Sequence, residues 1–257
     1  MDMKTNAFKR AIAAGRQQIG IWHAIRDSAV TEMLGDCGFD WILIDCEHSP
    51  NSESDVLVKL QALNGSPTAA MVRPSSLDVA EIKRLLDVGA QNILVPYVQT
   101  VEEAQLAAAS VTYPPEGIRG VSTGSRSSRF GAVPDYFARA RDEICLIVQV
   151  ETRAAMDRLE EIAAVPGIDG IFIGPADLAA SLGHPGDIFH PEVQEAILSC
   201  MRRIRAAGKP AGFLSPNQDL LEKVVEAGCV FTAVDVDMGL LRRSALHRLD
   251  ICKGWKS

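Results

Sequence analysis

A chain of 257 residues with 47% apolar and 23% charged content can bury a full core as one large α/β domain, since α/β barrels commonly reach this length undivided. Its formal net charge of -7 excludes a general attraction to nucleic acid or to an anionic membrane, so an anionic substrate must find specific local cations. The six cysteines (Cys37, Cys46, Cys145, Cys200, Cys229, Cys252) form no C-x-x-C pair, which predicts reduced thiols rather than bridges or zinc; with no signal peptide or long apolar span, the expectation is a cytoplasmic protein.

Asn6 to Gly15 reads as a short lead-in helix and Ile19-Gly20-Ile21-Trp22 as the first strand. After Asp27 or Ser28 as a cap, Val30, Met33 and Leu34 mark a helix that stops near Gly38. A pattern then recurs, in which a helix ends in Gly and an apolar strand follows within a few residues. Its copies run into Trp41-Ile42-Leu43-Ile44-Asp45, Asn92-Ile93-Leu94-Val95-Pro96, Gly170-Ile171-Phe172-Ile173-Gly174 and Phe231-Thr232-Ala233-Val234-Asp235. Between them lie Ala69-Ala70-Met71-Val72, Leu146-Ile147-Val148-Gln149 and Ala211-Gly212-Phe213-Leu214, so the chain offers eight strands. Ser52 with Asp55, and Thr100 with Glu103, resemble capping boxes at helix starts. Pro191 precedes Val193, Ile197, Cys200 and Ile204, an apolar stripe at helical spacing. Apolar strands without alternation are what a parallel sheet buried on both faces produces. Eight of them alternating with helices predict a (β/α)₈ barrel over residues 1–257, with its active site at the strands' C-terminal ends.

Two segments depart from this rhythm. Between Ser110 and Cys145 lie Tyr113-Pro114-Pro115, Gly117-Ile118-Arg119-Gly120, a Ser/Arg/Gly stretch from Ser122 to Gly131 with Arg126 and Arg129, and a helix from Pro134. A long loop of this kind is either a lid or a subunit contact. The last helix, Gly239 to Leu249, carries Leu240, Leu241, Leu246 and Leu249, and packs either on the core or on a neighbouring subunit.

The polar residues at the strand ends carry the chemistry. Gln149-Val150-Glu151-Thr152 and Gly174-Pro175-Ala176-Asp177 end successive strands, so Glu151 and Asp177 converge on one edge and suit a hard divalent cation. Each alone reads more simply as a helix cap or a solvated loop residue; together they favour a ligand pair. Arg73, between Val72 and Pro74 at a strand mouth, suits a carboxylate or a developing enolate oxygen, against the plainer reading of a surface ion pair. His48 follows a strand end and is either a structural histidine or a general acid or base. Asp87 either orients His48 or simply ends a helix. No lysine stands at a strand end, so a Schiff base lacks its nucleophile and carbonyl activation falls to the metal.

Asp45-Cys46-Glu47-His48-Ser49-Pro50-Asn51, Val72-Arg73-Pro74, Leu86-Asp87-Val88-Gly89, the run from Tyr113 to Gly120, Gln149 to Thr152 and Ile173 to Leu178 together resemble the HpcH/HpaI family of class II pyruvate aldolases. The resemblance covers nearly the whole chain in order. It implies Glu151 and Asp177 as ligands of Mg²⁺, Mn²⁺ or Co²⁺, a 2-keto acid substrate cleaved to pyruvate or hydroxypyruvate and an aldehyde through a metal-stabilised enolate, and Arg73 against the keto or enolate oxygen. It further implies Gln149, Gly174, Pro175, Ala176, Asp177 and Leu214 around the substrate, and His48 paired with Asp87 in proton transfer. Family members pack the last helix onto a neighbour and assemble as hexamers. The sequence departs from the family around Trp22 to Arg26 and Thr123-Gly124-Ser125, where the aldehyde end of the substrate is read. The alternative within enzymes is a lyase of a coenzyme A thioester; outside them, a catalytically silent barrel is disfavoured by the intact acid, base, cation and metal positions.

Overall fold

A computed structural model describes residues 2–256. Strands β1 (Gln18–His23), β2 (Trp41–Asp45), β3 (Ala69–Arg73), β4 (Asn92–Val95), β5 (Cys145–Val150), β6 (Gly170–Ile173), β7 (Ala211–Leu214) and β8 (Cys229–Val236) pair in sequence order, all parallel, and β8 closes on β1. The helices before and between the early strands are α1 (Ala7–Ala13), α2 (Ser28–Asp36), α3 (Glu53–Ala62), α4 (Val79–Asp87) and α5 (Val101–Ser110). A single turn, α6 (Tyr136–Arg139), precedes β5; α7 (Arg153–Asp157) and α8 (Leu159–Ala164) follow it. The remainder are α9 (Pro175–Ser181), α10 (Pro191–Ala206), α11 (Gln218–Glu226) and α12 (Asp237–Cys252). This is the (β/α)₈ barrel that the uninterrupted apolar strands predict.

Local chemistry sets the helix starts. Ser52–Asp55 and Thr100–Glu103 are complete capping boxes, Asp27 caps α2, and Pro191 occupies the first turn of α10. Side chains facing outward from the sheet, among them Ile44, Val72, Ile93, Val148 and Ile171, are buried beneath the helices. The barrel interior is filled by Trp41, Leu43, Met71, Leu94, Ile147, Phe172 and Phe231. Helix α1 closes the barrel at the strands' N-terminal ends: the Phe8 ring sits 5.9 Å from Trp41 and 5.8 Å from Phe231.

The long segment before β5 lies at that same lower rim, not over the mouth where the strands end. The Arg126 guanidinium donates to the Val88 carbonyl at 2.8 Å, just beyond the lower end of α4, and its 3-10 turn packs on that helix. The lid reading is thereby excluded for the chain's own site. The helix expected from Pro134 is reduced to α6 and a 3-10 turn, Ala140–Glu143.

Helix α12 buries little against its own barrel. Asp237 alone of its residues is buried, while Leu240, Leu241, Leu246, Leu249 and Ile251 are exposed. Of the six cysteines, all free, four are buried; Cys37 is exposed and Cys252 half-buried.

Because Phe8 is 2% exposed and wedged between two aromatic rings, Phe8→Ala is expected to cost about 3–5 kcal/mol, read as a fall in the unfolding free energy by denaturant titration. A change under about 1 kcal/mol would show that α1 is not part of the barrel's core.

Candidate active site

The upper mouth is organised by Asp45, the last residue of β2. In the sheet register Asp45 lies beside Arg73, the last residue of β3, and the two form a two-pronged pair: Arg73 Nε donates to Oδ1 and NH2 to Oδ2, each at 2.9 Å. Burial alone would raise the Asp45 pKa, but the bonds and charge of Arg73 outweigh it and hold the carboxyl below its usual range. Trp22 Nε1 also donates to Asp45, at 3.3 Å, and the Trp22 ring supports the guanidinium at 4.7 Å. Asp45 Oδ1 accepts the Glu47 amide at 3.0 Å, which shapes the loop carrying His48.

Glu47 completes the cage, with Oε2 lying 2.5 Å from Arg73 NH1 as an ion pair that lacks hydrogen-bond alignment. Desolvation raises the Glu47 pKa, opposed by Arg73 and His48 and reinforced by Asp45 and Asp177. Of the five N–H groups of a guanidinium, the hydrogen bonds to Asp45 take two.

Across the mouth, Glu151 follows β5 and is 1% exposed. Its carboxylate accepts the Tyr97 amide at 2.9 Å and the Gln149 side-chain amide. Tyr97 takes a left-handed φ of 56° to deliver that amide, a conformation costly for a residue with a side chain and found chiefly where structure over-determines it. Gly174 must be glycine, because a Cβ there would collide with the Glu151 carboxylate and the Gln149 amide. Burial, with Asp177 and Glu47 adding like charge, pushes the Glu151 pKa up to about 7 although the bonds from Gln149 and Tyr97 oppose it. A carboxylate desolvated beside others and short of neutralising charge suits a divalent cation. Asp177, exposed in the first turn of α9, adds like charge to Glu151 and could serve with it as a second ligand; Gln149 Oε1, buried and without a hydrogen-bond partner among the described residues, is a further acceptor nearby.

The residues singled out from sequence separate into three places. Arg73, Gln149, Glu151, Gly174 and Asp177 surround the mouth, with Pro175 and Ala176 opening α9 beside them and Leu214 half-buried at the end of β7. His48 stands at the rim, its side chain 66% exposed and Nε2 3.8 Å from Glu47. Asp87 does not meet it within one chain: it ends α4 at the lower rim, where Arg119 NH2 donates to it at 3.1 Å. Sequence reasoning left Asp45 and Tyr97 without roles and placed Trp22 only in the loop expected to read the aldehyde end. It also passed over Lys59, 2% exposed on α3, whose pKa burial lowers to about 8 and whose ammonium donates to the Ile25 carbonyl at 2.7 Å, behind the loop after β1. Asp237 holds that loop too, accepting from Ala24 and Ile25 at 3.1 Å and contacting buried His23 at 2.6 Å.

Among the described residues, His184, His190 and Glu192 also cluster. Their imidazoles stack in nearly parallel planes 3.5 Å apart, so in-plane lone pairs cannot aim at one point, and Arg153 occupies Glu192 at 2.9 Å. This cluster caps α10 rather than forming a ligand set.

The HpcH/HpaI aldolase/citrate lyase family model matches residues 18–244. The chain belongs to that family. It is 52% identical over 248 residues to a hydroxypyruvate/pyruvate aldolase of Sagittula stellata, covering 96% of this chain and 98% of that one. A 4-hydroxy-2-oxo-heptane-1,7-dioate aldolase of Klebsiella pneumoniae is 52% identical over 241 residues, covering 93% and 91%. A crystal structure of a HpcH/HpaI aldolase/citrate lyase family protein from Burkholderia cenocepacia superposes with a TM-score of 0.93 at 34% identity, covering 97% of this chain and 100% of that one. The protein is an aldehyde-lyase, a class II aldolase, and these relatives do not favour the thioester-lyase alternative.

Glu151 must ionise to hold a cation, so proton and metal compete for it. The apparent affinity for Mn²⁺, followed by calorimetric titration, is expected to rise about tenfold per pH unit up to about pH 7 and then flatten. In the metal-free protein the raised pKa acts in the opposite sense: its stabilising contribution, about 3 kcal/mol, is present below the unfolded carboxyl's value and lost as pH rises through about 7. Glu151→Gln should remove both dependences. Mn²⁺ affinity flat over this range would rule out Glu151 as a ligand.

Proposed function

We propose that this aldolase reversibly cleaves 4-hydroxy-2-keto acids to pyruvate, or hydroxypyruvate, and an aldehyde. The carrying observation is the Arg73 guanidinium, 5% exposed and fixed in one orientation by Asp45, facing a mouth shared with Glu151 and Asp177 and bordered by no strand-end lysine among the described residues. The relatives' names support the same substrate class.

Glu151 and Asp177 would hold a divalent cation such as Mg²⁺, Mn²⁺ or Co²⁺, which supplies Lewis-acid polarisation of the substrate's keto group. The N–H groups of Arg73 that Asp45 does not take meet the negative charge that gathers on the keto oxygen as the C3–C4 bond breaks. His48, at the rim, takes the proton from the C4 hydroxyl, so that C4 departs as an aldehyde, and C3 is then protonated to give pyruvate. Gln149 fixes the Glu151 carboxylate through its amide and offers its free carbonyl oxygen inward. Arg73 and the carboxylates grip the pyruvoyl half alone, so recognition beyond C4 falls to the loop from Trp22 to Arg26.

The same reading makes the protein a homo-oligomer, with a hexamer as the expected assembly and the cytoplasm as its compartment. Asp87 and His48 occupy opposite rims, so Asp87 can serve His48 only from another copy. The uncovered leucines of α12 supply an apolar face for such a contact. No helix among the described residues is long and apolar enough to cross a membrane.

Arg73→Ala is expected to lower kcat/KM for pyruvate release by about 100-fold or more while metal binding persists. No metal-dependent pyruvate release from any 4-hydroxy-2-keto acid, or full activity without Arg73, would refute the reaction. For the assembly, Leu241→Asp with Leu246→Asp should reduce the molar mass measured by light scattering to that of a smaller species; an unchanged mass would show that α12 is not at an interface.

A further inference from the structure

The run from Tyr113 to Gly120 carries family resemblance yet lies at the lower rim, remote from the mouth. Its backbone folds back on the end of α5: Ile118 donates to Ala109 at 2.9 Å and Arg119 to Thr112 at 2.9 Å. Gly117 permits the fold, because a Cβ there would strike the carbonyl oxygens of Thr112 and Ala109. The result is an arginine with 0% exposure, its guanidinium 4.5 Å above the Tyr113 ring. Among the described residues its one ion-pair partner is Asp87, at 3.1 Å, and the buried Nε and NH1 atoms have no hydrogen-bond partner.

Stability does not account for this arrangement. Desolvating a guanidinium costs several kcal/mol, and one carboxylate bond that leaves two nitrogens unsatisfied does not repay it. What the arrangement does achieve is control of Asp87. Its carboxylate is 24% exposed at the rim, and the buried guanidinium behind it holds it through one oxygen, Oδ1. Among the described residues Asp87 accepts from Arg119 through Oδ1 alone, so Oδ2 is presented to whatever docks there.

We propose that Arg119 is a positioning residue for the aldolase reaction: it holds Asp87 oriented so that the carboxylate can pair with His48 of a neighbouring copy. The inference rests on the His48–Asp87 reading given above and assigns the Tyr113 to Gly120 run its purpose, which is to bury and aim this cation.

Steady-state cleavage of a 4-hydroxy-2-keto acid by the assembled enzyme tests it, comparing Asp87→Asn, Arg119→Met and the double variant. Arg119→Met should lower kcat about tenfold or more with KM within about twofold, since only proton transfer is impaired. Without an oriented carboxylate the histidine is more easily deprotonated, so the acid limb of kcat/KM should move to lower pH in Arg119→Met as in Asp87→Asn. The double variant should be no worse than Asp87→Asn alone. Equal losses from Arg119→Met in both backgrounds, or an unmoved acid limb, would overturn the inference while leaving the His48–Asp87 pairing standing. An Asp87→Asn enzyme with wild-type kcat and pH profile would remove that pairing and the inference with it. If Arg119→Met does not fold, Arg119→Gln, which keeps a polar side chain but no charge, decides: a displaced acid limb supports the proposal and a wild-type profile overturns it.

Discussion

The upper mouth depends on one buried ion pair. Arg73 is 5% exposed and Asp45 meets it with both oxygens, while the bonds and charge of Arg73 hold the Asp45 carboxyl below its usual range. The pair fixes more than itself. Through Asp45 it seats the Trp22 indole and the Glu47 amide, so strands β1 and β3 and the loop after β2 take their places around one carboxylate. Rigid strand ends carry the two partners and the register sets them side by side, which is the support a functional arginine needs to keep one direction.

Opposite stands a carboxylate treated in the reverse way. Glu151 receives two amide donors but no cation from the protein, and burial lifts its pKa where Arg73 depresses that of Asp45. The contrast assigns the roles. Asp45 is already neutralised and serves as scaffold, whereas Glu151 is under-compensated and is the group that gains from an added cation. The left-handed Tyr97 and the obligatory glycine at position 174 show that local backbone preference has yielded to this geometry.

The strands were readable from sequence because a barrel strand is buried on both faces and so appears as an unbroken apolar run, as in Trp41 to Ile44 and Ile171 to Ile173. Glu151 and Asp177 were readable for a related reason: chain order alone places the residues after two consecutive parallel strands on one edge. Asp45 was visible at a strand end, but its partnership with Arg73 depends on the β2–β3 register, which no local signal encodes. The place of the Ser122 to Gly131 stretch is likewise tertiary, set by Arg126 reaching Val88. Asp87 is different. A helix residue shortly before a strand begins must lie at the lower rim, and the sequence contained that constraint even though family resemblance drew Asp87 toward His48.

Helix α1 gives the barrel a floor as well as a core. With Phe8 and Ile12 packed into the interior core at the lower end, the barrel is filled from below, and His48 stands exposed at the opposite rim. On the proposed reaction the pyruvoyl half of a substrate would lie inward, against Arg73, and the aldehyde half toward the open rim. Exchange from that rim would then be ordered, the aldehyde leaving before pyruvate in cleavage and arriving after it in synthesis. On that reading a helix that touches neither reactant would set the order in which they come and go.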